Sequence, residues 1–232
     1  MKINILRLIE GAKQATGLTV IIDVLRAISL ECYLFSMGAA SIRPVGSEMY
    51  ARKLKAMHPD WLLAGERGGK MCEGFDFGNS PSSVTEKVKG KCIIHTTSAG
   101  TQGIMNAVHA DKIITASLVN AKAVAEYIRR ENPAEVSLVC MGNAGVTIAN
   151  EDELCARYIK SMLEGTPLID LQEQIAALQT NGAEHFFDPK KQEIFPEIDF
   201  WMCMKNDKFP FVVEIEKDDL GFVSVKKEVN EL

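Results

Sequence analysis

The feature that most constrains the fold is an alternation, before Pro167, of short β-branched runs with longer stretches of helical period. Such alternation is typical of α/β proteins, in which helices cover both faces of a sheet. Strands covered on both faces are almost continuously apolar, as these runs are. We therefore expect a three-layer α/β/α fold with a mostly parallel or mixed central sheet. The predicted strands are Ile3–Leu8, Thr19–Asp23, Ala40–Val45, Trp61–Ala64, Lys91–His95, Lys112–Ala116 and Val136–Met141.

Helical period is clearest in two segments, 121–128 and 154–162, where apolar residues recur on one face. Asn150, with Glu153 three residues later, has the form of a capping box and predicts the start of the second of these helices. Each apolar face is expected to lie on the sheet.

The C-terminal segment has a different pattern. A Phe- and Pro-rich connection precedes two β-type runs, Phe211–Glu216 and Phe222–Lys226, which predict a β-hairpin. No fixed-period repeat or Gly/Ser linker interrupts the chain. We therefore expect one domain over residues 1–232, with residues 166–232 as a C-terminal elaboration that carries the hairpin.

Charge and composition exclude several classes of protein. The net charge of -5 has the wrong sign for a protein that coats nucleic acid or an anionic membrane, so neither is an expected partner. Apolar runs stay well short of the ~20 residues of a membrane-spanning helix. The 6 cysteines include no C-x-x-C pair and are expected to be reduced core thiols, which indicates a cytoplasmic protein. A homo-oligomer is compatible with the sequence, which leaves the subunit number open.

Acidic and basic side chains recur just after several predicted strands. Ligands of open α/β sheets bind outside the carboxyl ends of the strands, so these side chains are candidates for one site. Carboxylates suit Mg²⁺, and arginines suit an anionic substrate, a combination that indicates metal-assisted phosphoryl chemistry. Each residue alone has a structural alternative, such as a helix cap or a surface ion pair. The acidic candidates are Asp23, Glu66, Asp76 and Asp152, and the basic candidates are Arg26 and Arg67.

The segment from Thr96 to Thr101 is small and rich in hydroxyl groups, and it lies where a strand should lead into the helix Thr101–Val108. Backbone N–H groups and hydroxyls at such a turn can bind a phosphate or sulfonate. An ordinary strand-to-helix turn capped by Ser or Thr has the same composition, so both interpretations stay open.

Spacing excludes several familiar phosphate-binding and catalytic motifs. Gly65–Met71 does not fit a P-loop, and no G-x-G-x-x-G follows a strand. No arginine lies six residues after Cys92 or Cys140, which argues against a cysteine phosphatase. His95, inside an apolar strand, is expected to be a core residue rather than a catalytic one.

Six segments together resemble the 2-phosphosulfolactate phosphatase family in identity, order and approximate spacing. Of these, GERGG followed by GFDFGNSP is the most specific. The resemblance extends over residues 18–163 and, more weakly, over Phe195–Val225. It implies a cytoplasmic α/β/α phosphatase that uses Mg²⁺ to hydrolyse 2-phospho-3-sulfolactate to 3-sulfolactate and phosphate, a step of coenzyme M biosynthesis. The segments are DVLRA (23–27), GERGG (65–69), GFDFGNSP (74–81), HTTSAGT (95–101), the region of Ser117 and Asn120, and the loop Gly142–Asp152.

This resemblance leads to a hypothesis for the mechanism. The ligands of Mg²⁺ are carboxylates drawn from the four acidic candidates, and a water attacks the phosphorus in line. An aspartyl-phosphate on Asp23 is less favoured, because Leu25 stands where a D-x-D phosphatase has its second Asp. The remaining expected roles are anion binding by Arg26 and Arg67, phosphate binding by Thr96, Thr97, Ser98, Gly100 and Thr101, and completion of the pocket wall by Asn79 and Ser80.

Two alternatives remain at this point. A phosphatase of the same family could act on a different small phosphorylated hydroxy acid. A non-catalytic sensor of a small phosphorylated or sulfonated acid would need the arginines and the hydroxyl groups, but it would not need several convergent carboxylates.

Overall fold

The computed structural model of the chain describes residues 1–229 as one mixed sheet of ten strands with helices on both faces. The strands are β1 Lys2–Arg7, β2 Gly17–Ile22, β3 Ser41–Pro44, β4 Leu62–Arg67, β5 Lys70–Met71, β6 Cys92–Thr96, β7 Ala110–Ala116, β8 Glu135–Cys140, β9 Phe211–Asp218 and β10 Gly221–Glu228. The helices are α1 Leu8–Gln14, α2 Ala27–Ser36, α3 Glu48–Met57, α4 Gly100–Asn106, α5 Ala121–Glu131, α6 Asn150–Glu164, α7 Leu171–Ala177 and α8 Glu197–Cys203. The predicted α/β class and the C-terminal hairpin are confirmed.

The hairpin of β9 and β10 lies in the middle of the sheet, whose strand order is β1-β8-β2-β7-β9-β10-β3-β6-β4-β5. The strands β1, β8, β2 and β7 are mutually parallel and form the first half-sheet. The strands β3, β6 and β4 are also mutually parallel and form the second half-sheet. Because β7–β9, β9–β10 and β10–β3 are all antiparallel, the two half-sheets run in opposite directions.

Both faces of the first half-sheet are buried, which explains why its strands are nearly continuous apolar runs. In β2 the side chains alternate between two clusters. Val20 and Ile22 pack in the cluster that contains α5 and α6, whereas Ile21 packs with α1 and α4 on the other face. All three side chains are fully buried, and each contributes about 1.5–3 kcal/mol to stability.

The second half-sheet is also covered on both faces. Ile42 and Ile93 pack against α2, and Leu63 and Ile94 pack against α3. α3 begins as its sequence suggests, because the Ser47 side chain accepts a hydrogen bond from the backbone N–H of Tyr50.

The capping box predicted at Asn150 is wrong. Asn150 is already the first residue of α6 and makes no cap, since its Nδ2 donates to the backbone oxygen of Asn181 at 3.1 Å. Glu153 instead pairs with Arg7 at 2.7 Å. A tertiary contact therefore replaces the local hydrogen bond that the sequence predicted.

Helix α4 connects the two half-sheets. It follows β6 of the second half-sheet, but it packs against α1 and β2 of the first. A Cβ atom at Gly103 would lie 2.5 Å from the Sδ of Met141 and 2.8 Å from the Cγ2 of Ile21. This close approach of helix and sheet brings residues 97–100, which precede the helix, next to the end of β2.

All 6 cysteines are free, and five of them are buried. None of the helices within residues 1–229 is both long enough and apolar enough to cross a membrane.

Candidate active site

A cavity of about 300 Å³ lies where loops of both half-sheets meet. Its walls come from the residues that follow β2, β6 and β8, from the end of β4 and the turn after it, from the segment after β5, and from the chain between α7 and α8. The lining residues are Asp23, Leu25, Arg26, Glu66, Gly68, Gly69, Asn79, Ser98, Ala99, Gly142, Asn143, Ala144, His185, Phe186 and Phe195.

Asp23 follows β2 directly and is 6% exposed. Its carboxylate accepts the backbone N–H of Ala27 at 3.1 Å and that of Gly100. A Cβ at Gly100 would lie 2.9 Å from the Oδ2 of Asp23, so this approach requires glycine. Burial raises the pKa of Asp23 to about 6, and the charge of Glu66 adds to the rise.

Glu66 lies within β4 rather than after it, because the hairpin with β5 extends the strand to Arg67. Its two carboxylate oxygens accept backbone N–H groups from different segments, Ser98 at 2.7 Å and Gly69 at 2.8 Å. Glu66 therefore ties the turn after β6 to the β4–β5 hairpin, and it faces the same cavity as Asp23.

These two carboxylates fit a Mg²⁺ ion. Their mutual repulsion raises the pKa of Asp23 beyond the effect of burial, and a divalent cation between them would relieve it. Within residues 1–229 no group of three or more His, Cys, Asp or Glu side chains is arranged to hold a metal ion. Mg²⁺ commonly binds through one or two carboxylates, with waters and substrate phosphate as its other ligands, and a pair of carboxylates is compatible with such a site.

Asp152 is buried near Asp23 but is not among the cavity-lining residues. Its Oδ1 accepts the N–H of Val24 and its Oδ2 accepts the N–H of Gly142, both at 2.8 Å. Burial raises the pKa of Asp152 well above its usual value, and the charges of Asp23 and Glu151 raise it further. Asp152 thus joins the loops after β2 and β8 to the start of α6.

The structure does not bring Asp76 to the carboxylate cluster. Asp76 is exposed, and its Oδ2 accepts the backbone N–H of Leu63 at 2.8 Å. Leu63 lies near the start of β4, whereas Glu66 lies near its end. Asp76 was predicted as a metal ligand because it follows a predicted strand. The sequence pattern does not show that residues 72–78 run back along β4.

Arg26 is the basic side chain that lines the cavity. Its Nη1 pairs with the Oδ2 of Asp199 at 2.8 Å, and its Nη2 donates to the backbone oxygen of Gly69 at 3.2 Å. The guanidinium carbon lies 5.6 Å from the ring centre of Phe186 and 5.1 Å from that of Phe195. Arg26 is thus held from several sides and presents a fixed positive charge to the cavity.

Arg67 and Thr96 lie together outside the cavity lining. Arg67 donates through Nη1 to the backbone oxygen of Glu66 at 2.6 Å and through Nη2 to the Oγ1 of Thr96 at 2.9 Å. These bonds tie the end of β4 to the end of β6. The anion-binding role expected for Arg67 therefore has no support from its position.

The hydroxyl-rich turn of residues 96–101 has some residues that stabilise the turn itself and others that contribute to the cavity. The Oγ1 of Thr101 accepts the N–H of Thr97 at 2.8 Å, and the Oγ1 of Thr97 accepts the N–H of Thr101 at 3.1 Å. These two residues form an ordinary strand-to-helix turn capped by hydroxyl groups, which was the alternative to a phosphate-binding turn. Ser98 lines the cavity, and the N–H of Gly100 donates to Asp23. The turn contributes to the site mainly through Ser98 and through support of Asp23.

Asn79 and Ser80 lie in the segment between β5 and β6 and have different contacts. Asn79 lines the cavity, and its Oδ1 lies 3.1 Å from the Nε2 of His95. The Oγ of Ser80 donates to Asp199 at 2.9 Å. Ser80 lines a neighbouring cavity of about 650 Å³, and Asn79 borders both.

Three aromatic residues of the C-terminal segment were missed by the sequence reasoning: His185, Phe186 and Phe195. The Phe- and Pro-rich composition of this segment was the available signal, but it gave no reason to place it at the site. Burial lowers the pKa of His185, and the charges of Arg26 and Lys191 lower it further. A neutral imidazole therefore stands at the cavity wall, where it can accept a proton.

The cavity thus combines paired carboxylates, a fixed guanidinium, an amide and a neutral imidazole. A cation bound by the carboxylates, together with Arg26, would hold an oxyanion such as phosphate. The imidazole could move a proton during displacement at phosphorus.

Comparison with known sequences places the chain in a family. The family profile described as 2-phosphosulpholactate phosphatase matches residues 3–218. A protein of Bacillus subtilis (strain 168), named probable 2-phosphosulfolactate phosphatase, is 31% identical over 205 residues, which cover 87% of this chain and 88% of that protein. A protein of the same name from Carboxydothermus hydrogenoformans is 40% identical over 175 residues, or 75% of this chain and 72% of that protein.

A third protein of this name, from Caldanaerobacter subterraneus subsp. tengcongensis, is 35% identical over 211 residues, which cover 85% of this chain and 87% of that protein. The match of the family profile spans the strands and loops that build the cavity, including the C-terminal aromatic residues. The chain therefore belongs to the 2-phosphosulfolactate phosphatase family, a family of phosphoric monoester hydrolases.

Proposed function

We propose that this protein is a Mg²⁺-dependent phosphatase of a small phosphorylated acid, and that its substrate is 2-phospho-3-sulfolactate, which it hydrolyses to 3-sulfolactate and phosphate. The observation that carries the proposal is the placement of the Asp23 and Glu66 carboxylates and the Arg26 guanidinium in one cavity. The names of the relatives support the substrate. The reaction would then serve coenzyme M biosynthesis, and the free cysteines support a cytoplasmic location.

Asp23 and Glu66 would hold the metal ion, and Asp152 would support the loop after β2 that carries Asp23. When bound, Mg²⁺ would neutralise charge on the phosphate oxygens and help to orient the attacking water. Arg26 would bind an oxygen of the anionic substrate, and its contacts with Asp199 and the two phenylalanine rings keep it in place. Asn79 and Ser98 would donate hydrogen bonds to the remaining oxygens.

The water forms a new bond to phosphorus while the bond between phosphorus and the ester oxygen breaks. The water loses a proton, and the departing alkoxide gains one, so the products are phosphate and the free hydroxy acid. His185 is neutral because burial lowers its pKa, and it is the cavity-lining imidazole that can take the proton from water. Asp23 would act as a ligand, because its carboxylate is already held by two backbone N–H groups.

The decisive assay measures phosphate release from 2-phospho-3-sulfolactate and from a panel of phosphorylated hydroxy acids, with and without Mg²⁺. Asp23→Asn and Glu66→Gln should each lower kcat/KM at least about 100-fold, because one removed interaction with developing charge costs this much. Asp76→Asn is the matched control, since Asp76 is an exposed carboxylate away from the cavity.

Several outcomes would contradict the proposal. Turnover unchanged by Asp23→Asn would remove Asp23 from the metal site. Binding of the substrate without release of phosphate under any metal condition would favour the sensor. Phosphate trapped on Asp23 in a rapid-quench experiment would replace direct attack by water with an aspartyl-phosphate route. Preference for another phosphorylated acid would keep the chemistry and change the substrate.

A further inference from the structure

A buried chain of polar side chains runs from helix α2 to the cavity. The Oε1 of Glu31 lies 2.9 Å from the Nδ1 of His95, and the Nε2 of His95 lies 3.1 Å from the Oδ1 of Asn79. Glu31 and His95 are fully buried, and Asn79 is 5% exposed. The hydroxyl of Ser224 in β10 donates to the other oxygen of Glu31 at 3.4 Å. The chain thus joins α2, β6 and the segment after β5, and Ser224 adds a contact from the hairpin.

The partners of His95 bear on which of its ring nitrogens carry a hydrogen. An ionised Glu31 is an acceptor, so beside it the Nδ1 of His95 carries a hydrogen. The atom of Asn79 that faces Nε2 is its carbonyl oxygen, which is also an acceptor. In this orientation of the amide the two ring nitrogens face two acceptors, which suits the imidazolium form, whereas a turned-over amide would suit a neutral ring. In the imidazolium form the carboxylate of Glu31 would compensate the buried positive charge.

The orientation of the Asn79 amide follows from the same bond. With Oδ1 held by His95, the Nδ2 group is left with both hydrogens to donate. Among residues 1–229, Nδ2 makes no hydrogen bond to another protein group. Because Asn79 lines the cavity, these hydrogens are available to a ligand there.

We propose that Glu31 and His95 are positioning residues: Glu31 keeps His95 protonated, and the Nε2–H of His95 holds the Asn79 amide with its Nδ2 hydrogens toward the cavity, where they bind an oxygen of the anionic substrate. If His95 were neutral, Nε2 would be an acceptor and the amide would turn over. The carbonyl oxygen of Asn79 would then face the ligand and repel an anion. The binding part of this inference rests on the proposed function, whereas the charge of His95 does not.

The first test measures the charge of His95 directly. Ring nitrogen shifts in ¹⁵N-histidine-labelled protein distinguish an imidazolium from either neutral tautomer. At about pH 8 an ordinary histidine is neutral, and burial lowers the pKa of His185 further, so His185 serves as the internal control. We expect His95 to show two protonated nitrogens under this condition while His185 shows the neutral pattern. A neutral His95 would overturn the proposal, whatever the protein hydrolyses.

The second test uses binding of inorganic phosphate in the presence of Mg²⁺, measured by calorimetry. Asn79→Ala removes the donor and should weaken binding about tenfold. Glu31→Gln removes the charge that keeps His95 protonated and should weaken phosphate binding by a comparable factor, about tenfold. In the Asn79→Ala background, Glu31→Gln should change binding by less than about twofold, because the group through which it acts is already gone.

The controls separate a positioning role from a structural one. Glu214→Gln removes a partly buried carboxylate from β9 that bonds to Tyr127 rather than to the cavity, so phosphate binding should not change. Equal losses from Glu31→Gln in both backgrounds would overturn the proposal, since they would show that Glu31 acts independently of Asn79. Absence of phosphate binding in the parent protein would count against the proposed function and against ligand binding by Asn79. The ring nitrogen measurement would still decide the charge of His95.

Discussion

Arg26 and Asp199 form a buried ion pair that joins the loop after β2 to helix α8. The distance between Nη1 and Oδ2 is 2.8 Å, and the two side chains are 3% and 0% exposed. The other oxygen of Asp199 accepts hydrogen bonds from the Ser80 hydroxyl and the Ser82 N–H. One carboxylate thus connects three segments that are distant in sequence and fixes the cation of the candidate site.

Asp199→Asn should destabilise the protein by about 3–5 kcal/mol, because it leaves the buried guanidinium of Arg26 without a compensating charge. The free energy of unfolding in urea measures this loss. Glu126→Gln is the control, since Glu126 forms an exposed pair with Lys122 at 4.0 Å and should contribute less than about 1 kcal/mol. Similar losses in the two variants would show that burial of the Asp199 pair has no special effect.

Arg26→Lys should lower kcat/KM by about 100-fold or more, since a lysine cannot pair with Asp199, bond to Gly69 and stack between two rings at once. Steady-state kinetics of phosphate release measures the effect. Arg43→Lys makes the same exchange at an arginine that pairs with Asp218 away from the cavity, and its activity should match the parent. Full activity of Arg26→Lys would remove the guanidinium from substrate binding.

Gly100→Ala should reduce activity at least about tenfold while it destabilises the fold by about 1–3 kcal/mol, the usual cost of overpacking. The new methyl group would lie 2.9 Å from the Oδ2 of Asp23 and would push that carboxylate away from its place. Gly46→Ala is the matched control, because its nearest contact, the Cγ of Met105, would be at 3.4 Å. An active Gly100→Ala enzyme would show that the position of Asp23 is not critical.

The pair of Arg43 and Asp218 predicts a pH dependence of stability. Arg43 donates to both oxygens of Asp218, at 2.9 Å for the Nη1 bond, and lowers the pKa of Asp218 from 3.8 to about 2. A carboxyl group with a lowered pKa stabilises the fold above its unfolded pKa and loses this effect as the pH falls through its folded pKa. The stabilisation should therefore be complete above pH 3.8 and disappear toward about pH 2.

Urea unfolding of the parent and of Asp218→Asn checks this dependence. At neutral pH the variant should be less stable by no more than about 1 kcal/mol, because the Asp218 side chain is 43% exposed and solvent screens the pair. The difference should shrink as the pH approaches the lowered pKa. In an Arg43→Ala background, where the pair is absent, Asp218→Asn should not change the free energy of unfolding in this pH-dependent way. A difference that grows on acidification would contradict the assignment.

Local patterns were sufficient to predict much of the fold. Every predicted strand overlaps an observed one, because a buried β-strand needs a continuous apolar run and the chain has few others. The central place of the hairpin could not be predicted in this way. Nothing in residues 211–228 specifies that β9 pairs with β7 and β10 with β3, since strand order depends on which elements meet in space.

The candidate site was predicted only in part, because the sequence shows which residues follow each strand but not which strands meet in space. Asp23, Arg26, Glu66, Asn79 and Ser98 do line one cavity, although the opposite directions of the half-sheets mean that strand ends alone do not bring them together. Asp76 was misplaced, and Asp199 and His185 were missed. His95 was expected in the core, where it lies, but its bond to Asn79 had no counterpart in the sequence pattern.

The sequence by itself determined the secondary structure, the apolar layers and the types of side chain available for chemistry, because these depend on residues close together along the chain. The tertiary structure alone decided which side chains share the cavity. That outcome depends on the close packing of α4 across β2 at Gly103 and on the buried pair of Arg26 with Asp199. Both contacts join residues far apart in sequence, so local patterns do not specify them. The first depends on close packing of a helix on the sheet, and the second on two buried opposite charges that compensate each other.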